Sequence, residues 1–500
     1  MDNNTLNSLN KYDSFMQEVK RIANVFKNTE TKKAIRVVSH LDSDGICACA
    51  IMINCLTKRN LKYSISILPQ LKAEYIKEFE KEDTEVVVFT DFGSGQIKDI
   101  EKFLKKKIVF VLDHHIPQAD NAHDNIYHLN PCLFNIDGSS EISGAGMTFL
   151  FANEVFSCSD MAHIAIIGAI ADMQEDDGFK YLNNEILKIA EKQKKIIVNK
   201  GLKFFGLQTR PIPKLLAYGT ETFIPGVTGN ESSAIQFLQN LGINPMIKGR
   251  YKLLNDLTIE EKKKLIAGII LSRHKQEKPD NIFTKVYILS DEEENSPLRD
   301  AREFSTLLNA CGRLNKASLG IATCLGDQRM KKKAIGVLQD YKREILNSIR
   351  WYNENKENNK NIIKKENFII INAEDNVIHT MIGTLASIIA RSNEFKDGYY
   401  ILALAQSYDG TTKVSLRISG NSNSYYDTDI GNSDIKKSHE SDNNNYNLKE
   451  IISKILKRIN HGEGGGHLNA AGAIIDTDKE EEFIEAAKII LDMAGREESV

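Results

Sequence analysis

The stretch "AIRVVSHLDSDG", residues 34–45, joins a short apolar run to an acidic turn. The apolar residues predict a buried strand, and Gly45 opens a segment with a helical pattern that runs through Lys58. The same succession of strand and helix recurs over the first ~200 residues, which is typical of a parallel sheet with helices on its faces. We therefore predict an α/β fold.

Three further apolar runs and two helical segments extend this pattern. The runs "YSISILP" (63–69), "EVVVFTD" (85–91) and "KIVFVLD" (107–113) predict strands, and the last two have the Val and Ile content of a parallel sheet buried on both faces. The segment "LKAEYIKEFEK" (71–81) predicts a helix. The run "AHIAIIGAIADM" (162–173) is long for a strand and rich in Ala and Gly, so we predict a buried helix there.

The composition is that of an ordinary globular chain. The 500 residues allow two or three domains, 41% are hydrophobic, 27% are charged, and the net charge is only −3. A polycation is therefore excluded, and nucleic-acid binding would need a local basic groove. The seven cysteines form no CxxC pair, which argues against a zinc site. The polar N-terminus, and apolar runs shorter than the ~18 residues of a membrane span, predict a cytoplasmic protein without a membrane partner.

Changes in composition divide the chain into five predicted parts. A stretch rich in Lys, Asn and Glu is typical of a linker, and a second, smaller α/β domain follows it. Within that domain, residues 420–446 are poor in aliphatic side chains and predict a disordered insert. The predicted parts are an N-terminal helical extension (1–30), a parallel-sheet α/β domain (31–200), a mostly helical middle region (201–350), the linker (351–366) and the C-terminal α/β domain (367–500).

Acidic and histidine side chains follow the apolar runs, at the carboxyl ends where a parallel sheet gathers its functional residues. A single Asp at such a point often caps a helix or forms a turn, and a lone His is usually a core residue. Several such groups at one sheet edge would repel one another unless cations bind between them. The coincidence predicts a metal site that draws on His40, Asp42, Asp44, Asp91, Asp113, His114, His115 and Asp172.

Charge and ligand chemistry indicate which metals this site would take. Asp42, Asp44, Asp91 and Asp172 together carry four negative charges, which two divalent cations balance. Oxygen ligands with a few imidazoles suit Mn²⁺ or Mg²⁺, and the imidazoles favour Mn²⁺. Two such ions are the usual apparatus for phosphoester hydrolysis. The two adjacent histidines can share the site if the strand ends at about Asp113, because neighbouring side chains on a strand point to opposite faces.

Several motifs, in order, resemble those of a known superfamily. "SHLDSDG" (39–45), "TDFG" (90–93), "LDHH" (112–115) and "GAIADM" (168–173) resemble the four motifs of the DHH phosphoesterases. "GGGHLNAAGA" (464–473) resembles the signature of the DHH-associated domain. The segments typical of archaeal RecJ-like members are "REFSTLLNACGR" (302–313), "HLNP" (128–131) and "EISGAGM" (141–147). The resemblance covers most of the chain.

The resemblance implies a metal role for six side chains and a catalytic role for two. In the family, one metal takes the His and first Asp of the opening motif. The other takes the last Asp of that motif, the first DHH histidine and the Asp of the fourth motif, while the Asp of the second motif bridges both. The second DHH histidine faces the scissile phosphate, and the Asp before it orients an imidazole. In this sequence the implied metal ligands are His40, Asp42, Asp44, Asp91, His114 and Asp172, and the implied catalytic residues are His115 and Asp113.

Other motif residues are candidates for substrate contacts. The backbone of Gly464–Gly466, at the start of a helix, could bind a phosphate, or it could form a glycine-rich turn before that helix. Ser143–Gly146 is either a helix start or a second phosphate contact. Arginines in such segments contact a nucleic-acid backbone or form surface ion pairs. The predicted substrate-binding residues are Ser143, Gly144, Asn309, Arg313, Arg417, Gly465, Gly466, His467 and Asn469.

The resemblance implies a Mn²⁺- or Mg²⁺-dependent exonuclease that degrades single-stranded DNA in replication or repair, and we favour the 5′→3′ direction. The same motifs serve 3′→5′ exonucleases on single-stranded RNA or DNA and small-substrate phosphodiesterases of the oligoribonuclease type. A third alternative is a scaffold, because archaeal relatives associate with the GINS complex and a eukaryotic replicative-helicase subunit shares this fold. Because every implied ligand is present, catalysis is the prediction.

Overall fold

The computed structural model describes residues 3–119, 123–175, 178–357, 360–392, 394–420, 447–467 and 470–497. The chain falls into two compact units, Met1–Leu338 and Gln339–Val500. Within the described ranges, no helix is long and apolar enough to cross a membrane. Apart from Gly420, the predicted insert at 420–446 lies outside the described residues, and so does Asn469.

A five-stranded parallel sheet forms the centre of the first unit. Its strands are β1 (Ile35–His40), β2 (Tyr63–Leu68), β3 (Val86–Thr90), β4 (Ile108–Leu112) and β5 (Ile126–Leu129). They lie in the order β2-β1-β3-β4-β5, and every neighbouring pair is parallel. Strand β3 is buried throughout because helices cover both faces, which explains its continuous apolar sequence. The predicted parallel α/β fold is confirmed.

Helices cover the two faces of this sheet. Alternate residues of β4 separate the faces: the Phe110 ring packs edge-on against Phe26 and close to Phe151, while Val109 and Val111 join a core with Ile76 of α3. The predicted buried helix at 162–173 is present as α6. The helices of this part are α1 (Asn3–Asn28), α2 (Ser43–Lys58), α3 (Ala73–Lys81), α4 (Ile97–Phe103), α5 (Gly144–Val155), α6 (Ala162–Ala171) and α7 (Tyr181–Lys192).

The rest of the first unit is mostly helical, as predicted, with its own apolar core. It also contains an antiparallel strand pair, β6 with β9, which the sequence pattern did not predict. The strands are β6 (Ile196–Leu202), β7 (Met246–Ile247), β8 (Arg250–Tyr251) and β9 (Phe283–Leu289). The helices are α8 (Ile212–Ala217), α9 (Glu231–Asn240), α10 (Ile259–Ser272), α11 (Ala301–Arg313), α12 (Ala317–Cys324) and α13 (Gln328–Asn355), of which α13 continues into the second unit.

The predicted linker at 351–366 has more regular structure than its composition indicates. Helix α13 continues through its first five residues, and a short strand, Ile362–Lys364, lies near its end. Tyr352 is only 2% exposed, and its hydroxyl donates a hydrogen bond to the Glu394 carboxylate at 3.1 Å. The helix therefore persists because one aromatic side chain is buried, although the surrounding residues are polar.

The second unit is built on a six-stranded mixed sheet in the order β10-β11-β12-β13-β15-β14. Strands β11 and β12 are parallel, and the other neighbouring pairs are antiparallel. Helices α15 and α16 pack their apolar faces onto the sheet. The strands are β10 (Ile362–Lys364), β11 (Phe368–Asn372), β12 (Tyr400–Gln406), β13 (Thr411–Ile418), β14 (Glu463–His467) and β15 (Ala470–Asp476), and the helices are α14 (Ile382–Ala390), α15 (Leu448–Ile459) and α16 (Glu480–Glu497).

The glycine-rich motif of the second unit forms a strand, so the predicted turn or helix start is wrong, while the predicted phosphate contact stays a prediction. Gly464–Gly466 lie within β14 at the edge of the sheet. A Cβ on Gly464 would lie 2.6 Å from Leu456 Cδ1 and 2.8 Å from Ile452 Cγ2, both on α15. The glycine is needed because α15 packs directly on the strand.

Candidate metal centre

The loop after β1 turns tightly enough to place two acids at the sheet edge. A Cβ on Gly45 would lie 2.4 Å from the His40 carbonyl oxygen, so only glycine fits this turn. Asp42 caps α2, because its Oδ1 accepts a hydrogen bond from the Gly45 N–H at 3.0 Å. Its other oxygen, Oδ2, lies 2.9 Å from His40 Nδ1. The opening motif thus combines helix capping with a His–Asp pair.

Asp44 faces the start of helix α5. Its carboxylate accepts hydrogen bonds from the Gly144 N–H at 2.6 Å and the Ala145 N–H at 3.1 Å, and the side chain is fully buried. Burial, together with repulsion from the Asp172 and Asp91 carboxylates, raises the pKa of Asp44 well above its usual range. The helix N-terminus fixes the direction of this carboxylate and partly offsets its charge.

This arrangement also shows which local form Ser143–Gly146 takes. Ser143 caps α5, and its Oγ accepts a hydrogen bond from the Gly146 N–H at 3.2 Å. Both Ser143 and Gly144 are buried, and the Gly144 N–H is directed to Asp44. The segment is a helix start whose Gly144 N–H is already bonded to Asp44, and a phosphate contact by Ser143 or Gly144 stays a prediction.

Asp91 lies between the two halves of the site. It follows β3 with a left-handed backbone, φ +62°, and its side chain is 2% exposed. Neither carboxylate oxygen has a hydrogen-bond donor within the described part of the chain; His40 Nδ1 and His114 Nε2 lie 3.5 and 3.4 Å away. A buried ionic group without donors is costly, and a bound cation is the partner that relieves this cost. Asp91 therefore fits a metal-bridging carboxylate.

His114 is oriented by the backbone so that one ring nitrogen faces the acids. Its Nδ1 lies 2.6 Å from the Gly138 carbonyl oxygen, which favours the tautomer that leaves Nε2 without a proton. Nε2 lies 3.3 Å from Asp172 Oδ2 and 3.9 Å from Asp44 Oδ2. A Cβ on Gly138 would lie 2.0 Å from the His114 carbonyl oxygen, so the close approach of the backbones at 138 and 114 requires glycine. This carbonyl–imidazole arrangement is common behind metal-binding histidines.

The six predicted metal ligands therefore meet at the carboxyl edge of the sheet. Among the described residues, two groups of three, and a further group made of Asp91, Asp113, His114 and His115, could each hold an ion, and within each group the ligand atoms lie within 4.8 Å of one another. Asp91 belongs to the first group and also lies beside His114 of the second, so it is placed to bridge two ions. Hard oxygen ligands with imidazoles fit Mn²⁺ or Mg²⁺. The two groups of three are His40, Asp42 and Asp91, and Asp44, His114 and Asp172.

The remaining DHH residues, Asp113 and His115, lie beside Asp91 and His114 and form a hydrogen-bonded pair with each other. Asp113 follows the end of β4 at Leu112, and its Oδ1 lies 2.7 Å from His115 Nδ1. Burial would raise the pKa of Asp113, but the imidazoles of His115 and His114 and the Ser94 N–H outweigh it and hold the pKa well below the usual range. The His115 side chain is 45% exposed, while Asp113 is buried. His115 can therefore reach a substrate while Asp113 fixes its ring.

A buried hydrogen-bond network supports the Asp113–His115 pair. The sequence analysis assigned no role to the residues of this network. The Asn130 amide donates hydrogen bonds to the His115 carbonyl oxygen and to Ser94 Oγ, both at 2.8 Å. Ser94 Oγ also lies 2.8 Å from His128 Nε2, and the Ser94 N–H donates to Asp113 Oδ2 at 2.9 Å. The sequence signal was the motif "HLNP", which places a histidine and an asparagine at the end of an apolar strand.

The predicted substrate-binding residues belong to both compact units. Asn309 lies on α11, and its Oδ1 accepts a hydrogen bond from the Ser43 N–H at 2.9 Å, while Arg313 ends the same helix, partly exposed. Arg417 donates hydrogen bonds to Ser387 Oγ at 3.0 Å and to two carbonyl oxygens of the second unit. Gly465, Gly466 and His467 lie on β14, and Asn469 is outside the described residues.

Three family models match the chain at the places where these motifs lie. They are the DHH family N-terminal domain at residues 34–173, the DHH-CID domain at 204–283 and the DHHA1 domain at 365–492. Together they span more than half of the sequence. The chain belongs to the DHH superfamily. The DHH match contains the six clustered candidate ligands, and the DHHA1 match contains the glycine-rich edge strand.

Similar proteins extend the match along the whole chain. An uncharacterized protein of Methanocaldococcus jannaschii is 29% identical over 486 residues, covering 95% of this chain and 98% of that protein. RecJ from Thermus thermophilus, in complex with Mn²⁺, matches with a TM-score of 0.55 at 15% identity, covering 96% of this chain and 55% of that chain. CDC45 from Entamoeba histolytica matches with a TM-score of 0.60 at 12% identity, covering 95% and 99%.

A further structure, exonuclease RecJ bound to manganese, matches with a TM-score of 0.53 at 16% identity over 96% of this chain and 94% of that chain. At these identities, the structural matches show a shared fold. This chain spans only about half of the Thermus RecJ, 55% of its length.

Proposed function

We propose that this protein is a RecJ-like phosphodiesterase that uses two divalent cations to hydrolyse single-stranded DNA from the 5′ end. The observation that supports it most is Asp91, a buried carboxylate to which no described residue donates a hydrogen bond, and which belongs to one group of candidate metal ligands and lies beside His114 of the other. When bound, the two cations would supply Lewis-acid activation of a water and neutralise charge on the phosphate.

The side chains divide this work between holding metal and holding substrate. His40, Asp42 and Asp91 would hold one cation, and Asp44, His114 and Asp172 the other, with Asp91 shared. His115 Nδ1 lies 2.7 Å from Asp113, so Nε2 would donate a hydrogen bond to the scissile phosphate from the doubly protonated ring. Burial lowers the pKa of His115, but the Asp113 carboxylate outweighs it and raises this pKa, which favours that form. A held imidazole loses little freedom when substrate binds, so its contact favours the transition state.

Digestion of end-labelled oligonucleotides tests the proposal. Single-stranded and duplex DNA, and single-stranded RNA, are incubated with Mn²⁺, Mg²⁺ or EDTA, each labelled at the 5′ or the 3′ end. We expect metal-dependent release of short products from the 5′ end of single-stranded DNA. Asp91→Asn should abolish it, while Asp99→Asn, a partly exposed aspartate on α4, should not. Equal cleavage of duplex and single strands would contradict the proposed selectivity.

The same assay separates the other enzymatic alternatives. Release from the 3′ label, on RNA or DNA, would indicate a 3′→5′ exonuclease. Activity confined to dinucleotides would indicate a small-substrate phosphodiesterase of the oligoribonuclease type. We place the activity in the cytoplasm and in DNA replication or repair, in keeping with the RecJ-like motifs.

A second candidate function is scaffolding, which the similarity in fold to CDC45 favours. In that role the protein would associate with the GINS complex and the replicative helicase. A pull-down with purified GINS subunits tests it, and binding that survives Asp91→Asn would separate assembly from catalysis. Because all six proposed ligands are present and clustered, we propose scaffolding as an addition to catalysis rather than a replacement.

A further inference from the structure

Helix α11 reaches the loop that carries the opening metal motif. Asn309 Oδ1 accepts a hydrogen bond from the Ser43 N–H at 2.9 Å, across 266 residues of sequence. Ser43 is the first residue of α2, and the N–H groups of a first helical turn lack partners within their own helix. Asp42 accepts a hydrogen bond from the Gly45 N–H. Asn309, from elsewhere in the chain, accepts one from the Ser43 N–H and is therefore a second cap of α2.

The backbone of α11 also lies directly against the same loop. A Cβ on Gly312 would lie 1.7 Å from the Leu41 carbonyl oxygen, so only glycine allows the contact. Asn309 and Gly312 are three residues apart and therefore share one face of the helix. Asn309 holds the loop through a hydrogen bond, and Gly312 allows the backbones of the helix and the loop to come into contact.

The other end of α11 is held by hydrogen bonds to Glu303 and by ion pairs of Arg302. The Glu303 carboxylate is 4% exposed and accepts hydrogen bonds from the Gln208 N–H at 2.8 Å and from a neighbouring threonine hydroxyl. Arg302 pairs with Glu175 and Glu221, both at 3.1 Å. The helix is therefore anchored at its N-terminal end and contacts the loop of Asp42 and Asp44 at its C-terminal end, so it can hold this loop in place.

We propose that Asn309 and Gly312 are positioning residues that set the separation of the two metal sites. Ser43 lies between Asp42, which belongs to one ligand group, and Asp44, which belongs to the other. A shift of the Ser43 backbone would move the two carboxylates relative to each other. Asn309 thus acts through the loop rather than on nucleic acid, which replaces its predicted role in substrate binding. The inference rests on the proposed metal centre.

Manganese binding to the full chain tests this inference without reference to activity. Asn309→Leu and the smaller Asn309→Ala both remove the acceptor oxygen, while Asn309→Asp keeps it. Thr306→Val, on the same helix but bonded to its own helix backbone, is the matched control. Mn²⁺ titration by calorimetry gives stoichiometry and affinity, and the electron paramagnetic resonance spectrum reports the coupling between two Mn²⁺ ions. Thermal unfolding in EDTA checks that each variant is folded.

We expect wild type and Thr306→Val to bind two Mn²⁺ ions with a coupled spectrum. Asn309→Leu and Asn309→Ala should weaken the second ion at least tenfold and lose or alter the coupling, and Asn309→Asp should restore the coupling. Unchanged Mn²⁺ affinity and coupling in Asn309→Leu and Asn309→Ala, with only a higher KM for DNA, would overturn the positioning role alone. A wild-type chain that binds no Mn²⁺ would instead overturn the metal centre, and this inference with it.

Discussion

Replacing Asp172 by asparagine should stabilise the metal-free protein and reduce the gain in stability that Mn²⁺ provides. Asp172 follows α6 and lies 3.3 Å from His114 Nε2. Burial raises its pKa, His114 opposes this, and Asp42 and Asp91 add to the rise, so that the pKa reaches about 7 from an ordinary value of 3.8. Without a cation, the ionised form of Asp172 is therefore unfavourable in the folded protein.

The sign and size of the effect follow from proton linkage. Because the folded-state pKa is above the unfolded value, the folded state binds more protons between about pH 4 and pH 7, and stability falls as pH rises through this range. A rise of about three units corresponds to ~4 kcal/mol at pH 8. The Asp172 side chain is 24% exposed, and solvent screening reduces the expected gain from Asp172→Asn to about 2 kcal/mol.

Urea unfolding at pH 8, in EDTA and then in Mn²⁺, measures both halves of this prediction. In EDTA the variant should be more stable than wild type, with Asp99→Asn unchanged as the control. Wild type should gain about 2.7 kcal/mol for each site when Mn²⁺ is present at 100 times its Kd, and the variant should gain less because it lacks a ligand. The reasoning is refuted if Asp172→Asn is equally or less stable in EDTA, or gains as much from Mn²⁺.

Three further predictions concern other parts of the first unit. Asp113→Asn should lower kcat on single-stranded DNA at least 100-fold at saturating Mn²⁺ without changing Mn²⁺ affinity, because the second DHH histidine loses its carboxylate partner. Gly144→Ala should weaken Mn²⁺ binding, because the new Cβ would lie 2.4 Å from Asp91 Oδ1, whereas Gly336→Ala, with open space around it, should not. Burial lowers the pKa of His163 to about 4, so stability should fall as pH drops from about 6.5 to 4 by up to about 3 kcal/mol, and His163→Gln should flatten this loss in urea titrations.

Each of these predictions has a contradicting outcome. Loss of Mn²⁺ binding in Asp113→Asn would show that the pair with His115 supports the metals rather than the substrate. Equal Mn²⁺ affinity for Gly144→Ala and Gly336→Ala would mean that the helix start does not constrain the bridging carboxylate. Parallel stability curves for wild type and His163→Gln between pH 4 and pH 6.5 would remove this histidine as a source of acid sensitivity.

The parallel sheet and its acidic edge could be predicted because the relevant signals are local. Strand β3 is buried on both faces, so its sequence is one apolar run, and Asp91 follows directly. Parallel topology then brings the strand ends together, which is why Asp44, Asp91 and His114 were predicted to meet. Asp172 follows helix α6, so its place at the site was predicted from the apolar run that it ends and from the family resemblance. Strand β6 was not predicted because Ile197 is 47% exposed and its partner β9 lies far along the chain.

The errors at the site came from contacts between distant segments. Gly464 is needed because helix α15 packs on it, and no local pattern distinguishes this from a phosphate-binding turn. Asn309 was predicted to bind substrate because of its motif, but its hydrogen bond joins it to Ser43. Ser143 carries the pattern of a helix cap and of an anion site alike, and only the position of Asp44 shows that the Gly144 N–H beside it is already bonded. In each case the partner residue, rather than the motif, determines the role.

Anomalous diffraction at the manganese absorption edge tests the two-metal centre most directly. Crystals grown with Mn²⁺ should show two anomalous peaks on either side of Asp91, one beside His40 and Asp42 and the other beside Asp44, His114 and Asp172. A single peak, or peaks that leave Asp91 without a metal, would contradict the bridging role on which the proposed chemistry depends.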